Sequence, residues 1–99
     1  EFSTGILHKI QQGYNQKYSG DVVLIPFPAT LTGTAKGTSH GTGYSYDTHV
    51  PILFYGWGIK KGSSASPYNI KDIAPTLATL LSIEFPNGVT GKVIEEALK

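Results

Sequence analysis

The sequence predicts an α/β fold with two short strands and about three helices, in one incomplete domain spanning residues 1–99. Three observations predict it. Two apolar runs rich in β-branched residues, 22–25 and 50–56, are each stopped by a proline or glycine. Two other stretches repeat apolar residues at helical spacing. The composition, 39% hydrophobic and 15% charged, is that of a globular chain rather than a disordered one.

The elements follow in order. "STGILHKIQQGYNQ" puts Ile6, Leu7, Ile10 and Tyr14 on one helical face, with Ser3 or Thr4 placed to cap it. Gly13 weakens the end, so the helix is expected over roughly 4–15. His8 lies off the main apolar face and takes no role. "YSGDVVLIPF" turns at Ser19-Gly20, runs apolar from Val22 to Ile25 and stops at Pro26, as a buried strand would. "HVPILFYGWG" reads as the second strand, 50–56, stopped by Gly56 and Gly58. "DIAPTLATLL" places Ile73, Leu77, Leu80 and Leu81 on one face of a second helix. Asp72 suits its positive end, and Pro75 is tolerated in the first turn. "KVIEEALK" reads as a short closing helix. Two strands alone leave open edges, so another chain or a missing part must cover them, or copies associate through those edges.

Between the two apolar runs lies a long connection, 27–47, with four glycines and many hydroxyls. It exceeds the usual loop of a compact domain by a wide margin, which marks it as mobile or functional. Its core is "GTSHGTGYSYDTHVP". His40 is flanked by Gly37 and Gly41, whose freedom lets a backbone approach a ligand closely. An imidazole on such a loop suits metal coordination or acid–base work, and an exposed histidine without a ligand is the plain alternative. His49 fits no ligand spacing and reads as a packed residue at the base of a strand. Asp47 either orients His40 or caps a turn, and the turn is the simpler reading. A Ser39–His49–Asp47 triad lacks a nucleophile elbow. Tyr44, Tyr46, Tyr55 and Trp57 could wall the loop or pack elsewhere.

Several classes are excluded. The chain has no cysteine, so disulfides and thiolate metal sites are out. Its net charge of +1 and scattered lysines give no nucleic-acid surface. No apolar run is long enough to span a bilayer, and no membrane partner is expected. "GTAKGTSHG" lacks the Gly-Lys-Ser/Thr of a phosphate loop, and "GTGYSY" lacks the third glycine of a dinucleotide fingerprint.

Three stretches together, "KGTSHGTGYSYDTHVPILFYGWGIKKG", "IKDIAPTLATLLSIEFPNGVTGK" and "VIEEALK", resemble the C-terminal end of the alkaline phosphatase superfamily. The resemblance extends over "GYNQKYSGDVVLIP" and so covers nearly all of the chain. It is closest to the bacterial type with a threonine nucleophile, and it includes nucleotide pyrophosphatase/phosphodiesterases and sulfatases. It implies the C-terminal part of an α/β/α sandwich. It implies two zinc ions about 4 Å apart that clamp the attacking and leaving oxygens of an in-line displacement. It assigns His40, of the His-Gly pair, as a ligand of one zinc; no ligand role carries over to His49. It points to a periplasmic or extracellular phosphate-ester hydrolase.

The nucleophile and the other ligands of that family lie upstream of the matching region. The expectation is therefore an inactive fragment of a zinc-dependent phosphomonoesterase, which supplies one metal-binding histidine. A phosphodiesterase or sulfatase of the same superfamily is the alternative. "GTSHG" in place of an acidic Gly-Glu-His-Gly leans toward phosphate. A stand-alone, non-catalytic module is the reading from another class.

Overall fold

A computed structural model of the chain describes residues 5–31, 33 and 36–99. The proposed caps Ser3 and Thr4 lie outside the described residues. The chain divides into two compact units, one running to Val50 and the other Pro51–Lys99.

In the first unit, α1 (Gly5–Gly13) forms where the periodicity places it. A turn follows, in which Asn15 accepts the Lys17 and Tyr18 amides on its side-chain oxygen. Residues 22–27 form no regular element and are exposed, with Leu24 90% accessible, and a turn follows at 28–29. A short helix, α2 (Ser45–Thr48), closes the unit's long loop.

In the second unit, an extended stretch leads to Gly58. A 3-10 turn, Ile70–Asp72, then feeds α3 (Ile73–Leu81), and a second 3-10 turn, Glu95–Ala97, lies near the C-terminus. The expected closing helix is thus only a single turn. Leu98 pairs with Ile59 in an isolated antiparallel bridge. Lys60 N–H donates to the Ala97 carbonyl at 2.8 Å, and Lys99 N–H to that of Gly58 at 3.0 Å.

The two-stranded α/β arrangement is not what the chain forms. Among the described residues there is no strand, only that one bridge. The physical reason is that an apolar, β-branched run specifies an extended backbone but not a partner, and a strand exists only through its cross-strand ladder. The first run and residues 51–56 of the second fall in different units; Leu24 and Leu53 are each 90% exposed, while Ile52 and Phe54 are half-buried. Thus α/β patterning is present in the sequence, but no α/β/α sandwich is present in the described residues.

A second correction concerns α3. The spacing predicts a buried face of Ile73, Leu77, Leu80 and Leu81. Instead Leu77 and Leu81 are exposed, and Pro75, Thr76 and Ala78 are buried with Ile94. The small face wins because it lets the chain near residue 91 come within backbone contact of the helix start. A Cβ on Gly91 would collide with the Lys71 carbonyl. Hydrogen bonds then fix the approach. The Asp72 carboxylate accepts the Asn69 and Lys92 amides, both at 2.8 Å. The Thr76 hydroxyl donates to the Asp72 carbonyl at 2.7 Å and accepts the Ile94 amide at 2.9 Å. The helix ends at Ser82, in the left-handed region at φ 54°, with Ile83 N–H reaching back to the Ala78 carbonyl.

Two outcomes follow for the second unit. Gly91→Ala is expected to destabilise it by about 1–3 kcal/mol, because the obstacle is backbone and cannot swing aside. Gly62→Ala, with open space around its Cβ, is the neutral control in urea unfolding of both variants. Acid should also weaken the unit. The Lys92 amide, then that of Asn69, holds the carboxyl of Asp72 below its ordinary value of 3.8. Its contribution is therefore complete above pH 3.8 and is lost as the pH falls through the lower folded value. Melting curves between pH 2 and 6 should show this loss, and Asp72→Asn should flatten it.

Candidate functional site

The loop that carries His40 is short of regular structure, so side chains hold it. At its C-terminal side, residues 42–48 are gripped from two directions. From α1, the Lys9 ammonium donates to the Gly43 carbonyl and the Thr48 hydroxyl, both at 2.9 Å. Ile6 packs so close to Gly43 that a Cβ there would sit within 2.5 Å of it. From the 26–29 stretch, Ala29 N–H donates to the Tyr46 hydroxyl at 3.0 Å, and the Tyr44 hydroxyl donates to the Pro26 carbonyl at 2.7 Å. The two tyrosine rings stack, with centroids 5.8 Å apart and planes 19° from parallel.

Asp47 closes the ring that contains the histidine loop's end. Its Oδ2 accepts both the backbone N–H and the hydroxyl of Thr42. The hydroxyl of Thr42, then its N–H, holds the carboxyl of Asp47 below the usual carboxylate range. The nearby His40 imidazole and the Gly41 amide lower it further. Asp47 thus takes the turn role, accepting both the N–H and the hydroxyl of Thr42.

His40 itself is exposed. Gly37 and Gly41 on either side of it have φ of 118° and 113°, a region that a side chain disfavours, so the glycines are required here. Together with Asp47, Ser39, Tyr46, Ala29 and Leu31, His40 lines a cavity of about 290 Å³.

The donor set falls short of a complete metal site. His40 brings one imidazole and Asp47 one carboxylate, and an oxygen of that carboxylate is already engaged by Thr42. Among the described residues no group of three or more His, Asp or Glu side chains converges as a metal site would. A zinc site needs about three protein ligands.

The other residues that the sequence singles out are not brought together. His49 is exposed rather than packed, and it ends α2 by donating its N–H to the Ser45 carbonyl. The Ser39 hydroxyl faces the His40 carbonyl at 3.5 Å, and Asp47 serves Thr42, so no triad is assembled. Tyr55 and Trp57 belong to the other unit and are exposed. Sequence reasoning missed Lys9 as a brace and the two tyrosines as ties. Only the alternation Tyr-Ser-Tyr hinted at the second, and nothing hinted at the first.

The chain is 48% identical over 94 residues to alkaline phosphatase PafA of Elizabethkingia meningoseptica, which takes in 94% of this chain and 17% of that protein. It is 45% identical over 94 residues to alkaline phosphatase PhoV of Synechococcus elongatus, covering 95% of this chain and 17% of that one. It is 47% identical over 93 residues to a protein of Myroides odoratus named calcium-transporting ATPase, covering 92% of this chain and 17% of that protein. The chain thus spans 17% of the length of each of these curated relatives. No family profile and no solved structure matches it. No helix among the described residues is long and apolar enough to cross a membrane.

Asp47→Ala is expected to free the Thr42 amide, whose exchange with solvent deuterium should quicken several-fold, and to loosen the peptide containing His40. Unchanged exchange at Thr42 would show that Lys9 and the tyrosines hold the turn without it.

Proposed function

Because this chain corresponds over nearly its whole length to a segment of the alkaline-phosphatase-type enzymes, we propose that it is the C-terminal segment of a zinc-dependent phosphatase acting on phosphate monoesters, and that it supplies His40 as one zinc ligand. One observation carries the reading. His40 stands between two glycines in the positive-φ region, at a cavity, on a loop braced by side chains from three directions. A bare solvent loop needs none of this bracing. A loop that must present one imidazole at a fixed place does.

When bound, the metal pair would polarise the ester and stabilise charge on its oxygens. The residues of this chain hold and orient. Gly37 and Gly41 give the loop its path, Thr42 and Asp47 fix its end, and Asp47 places a negative charge near the imidazole, which favours its donation to a cation. The nucleophile and the remaining ligands belong to the rest of the polypeptide, so the isolated segment is inactive. The enzyme acts in the periplasm or outside the cell, on a small-molecule phosphate ester.

The name of the Myroides relative favours a second reading, in which the substrate is ATP, cleaved at a phosphoanhydride rather than an ester bond. One assay separates the two. The intact polypeptide carrying this segment is offered an aryl phosphate, a diaryl phosphate, an aryl sulfate and ATP. The aryl phosphate should turn over fastest. Partners of a metal ligand typically cost 10–100-fold in affinity or activity when removed, so His40→Ala should cost no less. It should also lower bound zinc in elemental analysis. Full zinc content and undiminished hydrolysis in His40→Ala would remove the assignment.

A further inference from the structure

The cavity beside His40 has a lining of two kinds. Six of its nine lining residues are polar, His40, Asp47 and four with hydroxyls that include Thr30 and Thr38; Ala29, Leu31 and the Tyr46 ring are apolar. Two of the polar groups are already satisfied. Asp47 accepts from Thr42, and the Tyr46 hydroxyl accepts from Ala29, so Tyr46 offers its ring rather than a free hydroxyl. The apolar lining is held at a cost. Ala29 sits at φ 58°, a conformation a non-glycine residue disfavours, and its amide is pinned there by Tyr46. The neighbouring tie from Tyr44 to Pro26, and the stack of the two rings, fix the same stretch. Strain that is retained by specific side-chain bonds next to a cavity implies that the position of Ala29–Leu31 matters to what enters.

We propose that this cavity is the subsite for the organic group of the ester, with Ala29, Leu31 and Tyr46 as its specificity-determining lining and with Tyr44 and Tyr46 as positioning residues that hold that lining in place. The proposal rests on the phosphatase reading. A group with an apolar body and a polar reacting end matches a lining that is apolar on one part and carries His40 on the other. The expected ligand class is therefore a monoester of a phenol or a bulky alcohol, preferred over a small alkyl phosphate.

The test uses the intact polypeptide. Leu31 is more than half exposed, so Leu31→Trp fills the cavity without disturbing a core. It should lower kcat/KM for phenyl phosphate relative to methyl phosphate by about tenfold or more. Tyr46→Phe leaves the ring but removes the acceptor of the Ala29 amide. It should raise KM for phenyl phosphate by a larger factor than KM for methyl phosphate, and speed deuterium exchange across 27–31. Binding of phenylphosphonate should slow that exchange in the wild type, and methylphosphonate or inorganic phosphate should not. An unchanged substrate ratio in Leu31→Trp, or bound phenylphosphonate that leaves 27–31 unprotected, overturns the subsite. Absence of hydrolysis in the wild type would instead sink the phosphatase reading, and phenylphosphonate protection would still decide the subsite by itself.

Discussion

In each unit of this chain, an aspartate carboxylate does the work that a sheet ladder does elsewhere. Asp72 gathers the amides of Asn69 and Lys92, from segments twenty residues apart in sequence. Asp47 gathers the amide and hydroxyl of Thr42. A backbone amide withdrawn from water needs an acceptor, and a charged one makes a stronger bond than a carbonyl. With three short helices, one bridge and no strand among the described residues, the chain has few regular acceptors to offer. In the described loops carboxylates, hydroxyls and one ammonium stand in for them.

That economy explains the character of the site. Regular elements fix a side chain through a repeating lattice of bonds. Here the histidine loop is fixed at separate points: Lys9 and Ile6 from α1, the tyrosines on the 26–29 stretch, and Asp47 within the loop. Each tie is weak alone, and together they hold residues 42–48, the stretch into which the loop from Gly37 to Gly41 runs. The imidazole can then be both exposed and held, which is what donating a lone pair to an ion requires.

Much of this was legible in the sequence, and the losses have definite causes. The first helix and the boundaries of α3 follow from periodicity. The glycines that flank His40 do adopt positive φ, as composition suggests, whereas a ligand role for His40 comes from the resemblance alone. The strands failed because a run such as Val22–Ile25 encodes conformation locally, whereas its partner is a property of the rest of the chain. The buried face of α3 failed because leucines were weighed by hydrophobicity. The deciding factor was close approach, and that favours Ala78, Thr76 and a glycine opposite. Lys9 and the tyrosine hydroxyls reach across 17 to 39 positions, distances at which single-sequence patterns carry no signal.

The fully buried hydroxyl of Thr76 has a polarity of its own. It owns one proton, spent on the carbonyl of Asp72, and its lone pairs must then meet the amide of Ile94. The relay can run in one sense only. Valine, which matches threonine in shape, would take this acceptor from the Ile94 amide and this donor from the Asp72 carbonyl; serine would keep both bonds and forfeit only a methyl's worth of packing. Substitution at this position is therefore limited by chemistry rather than by volume.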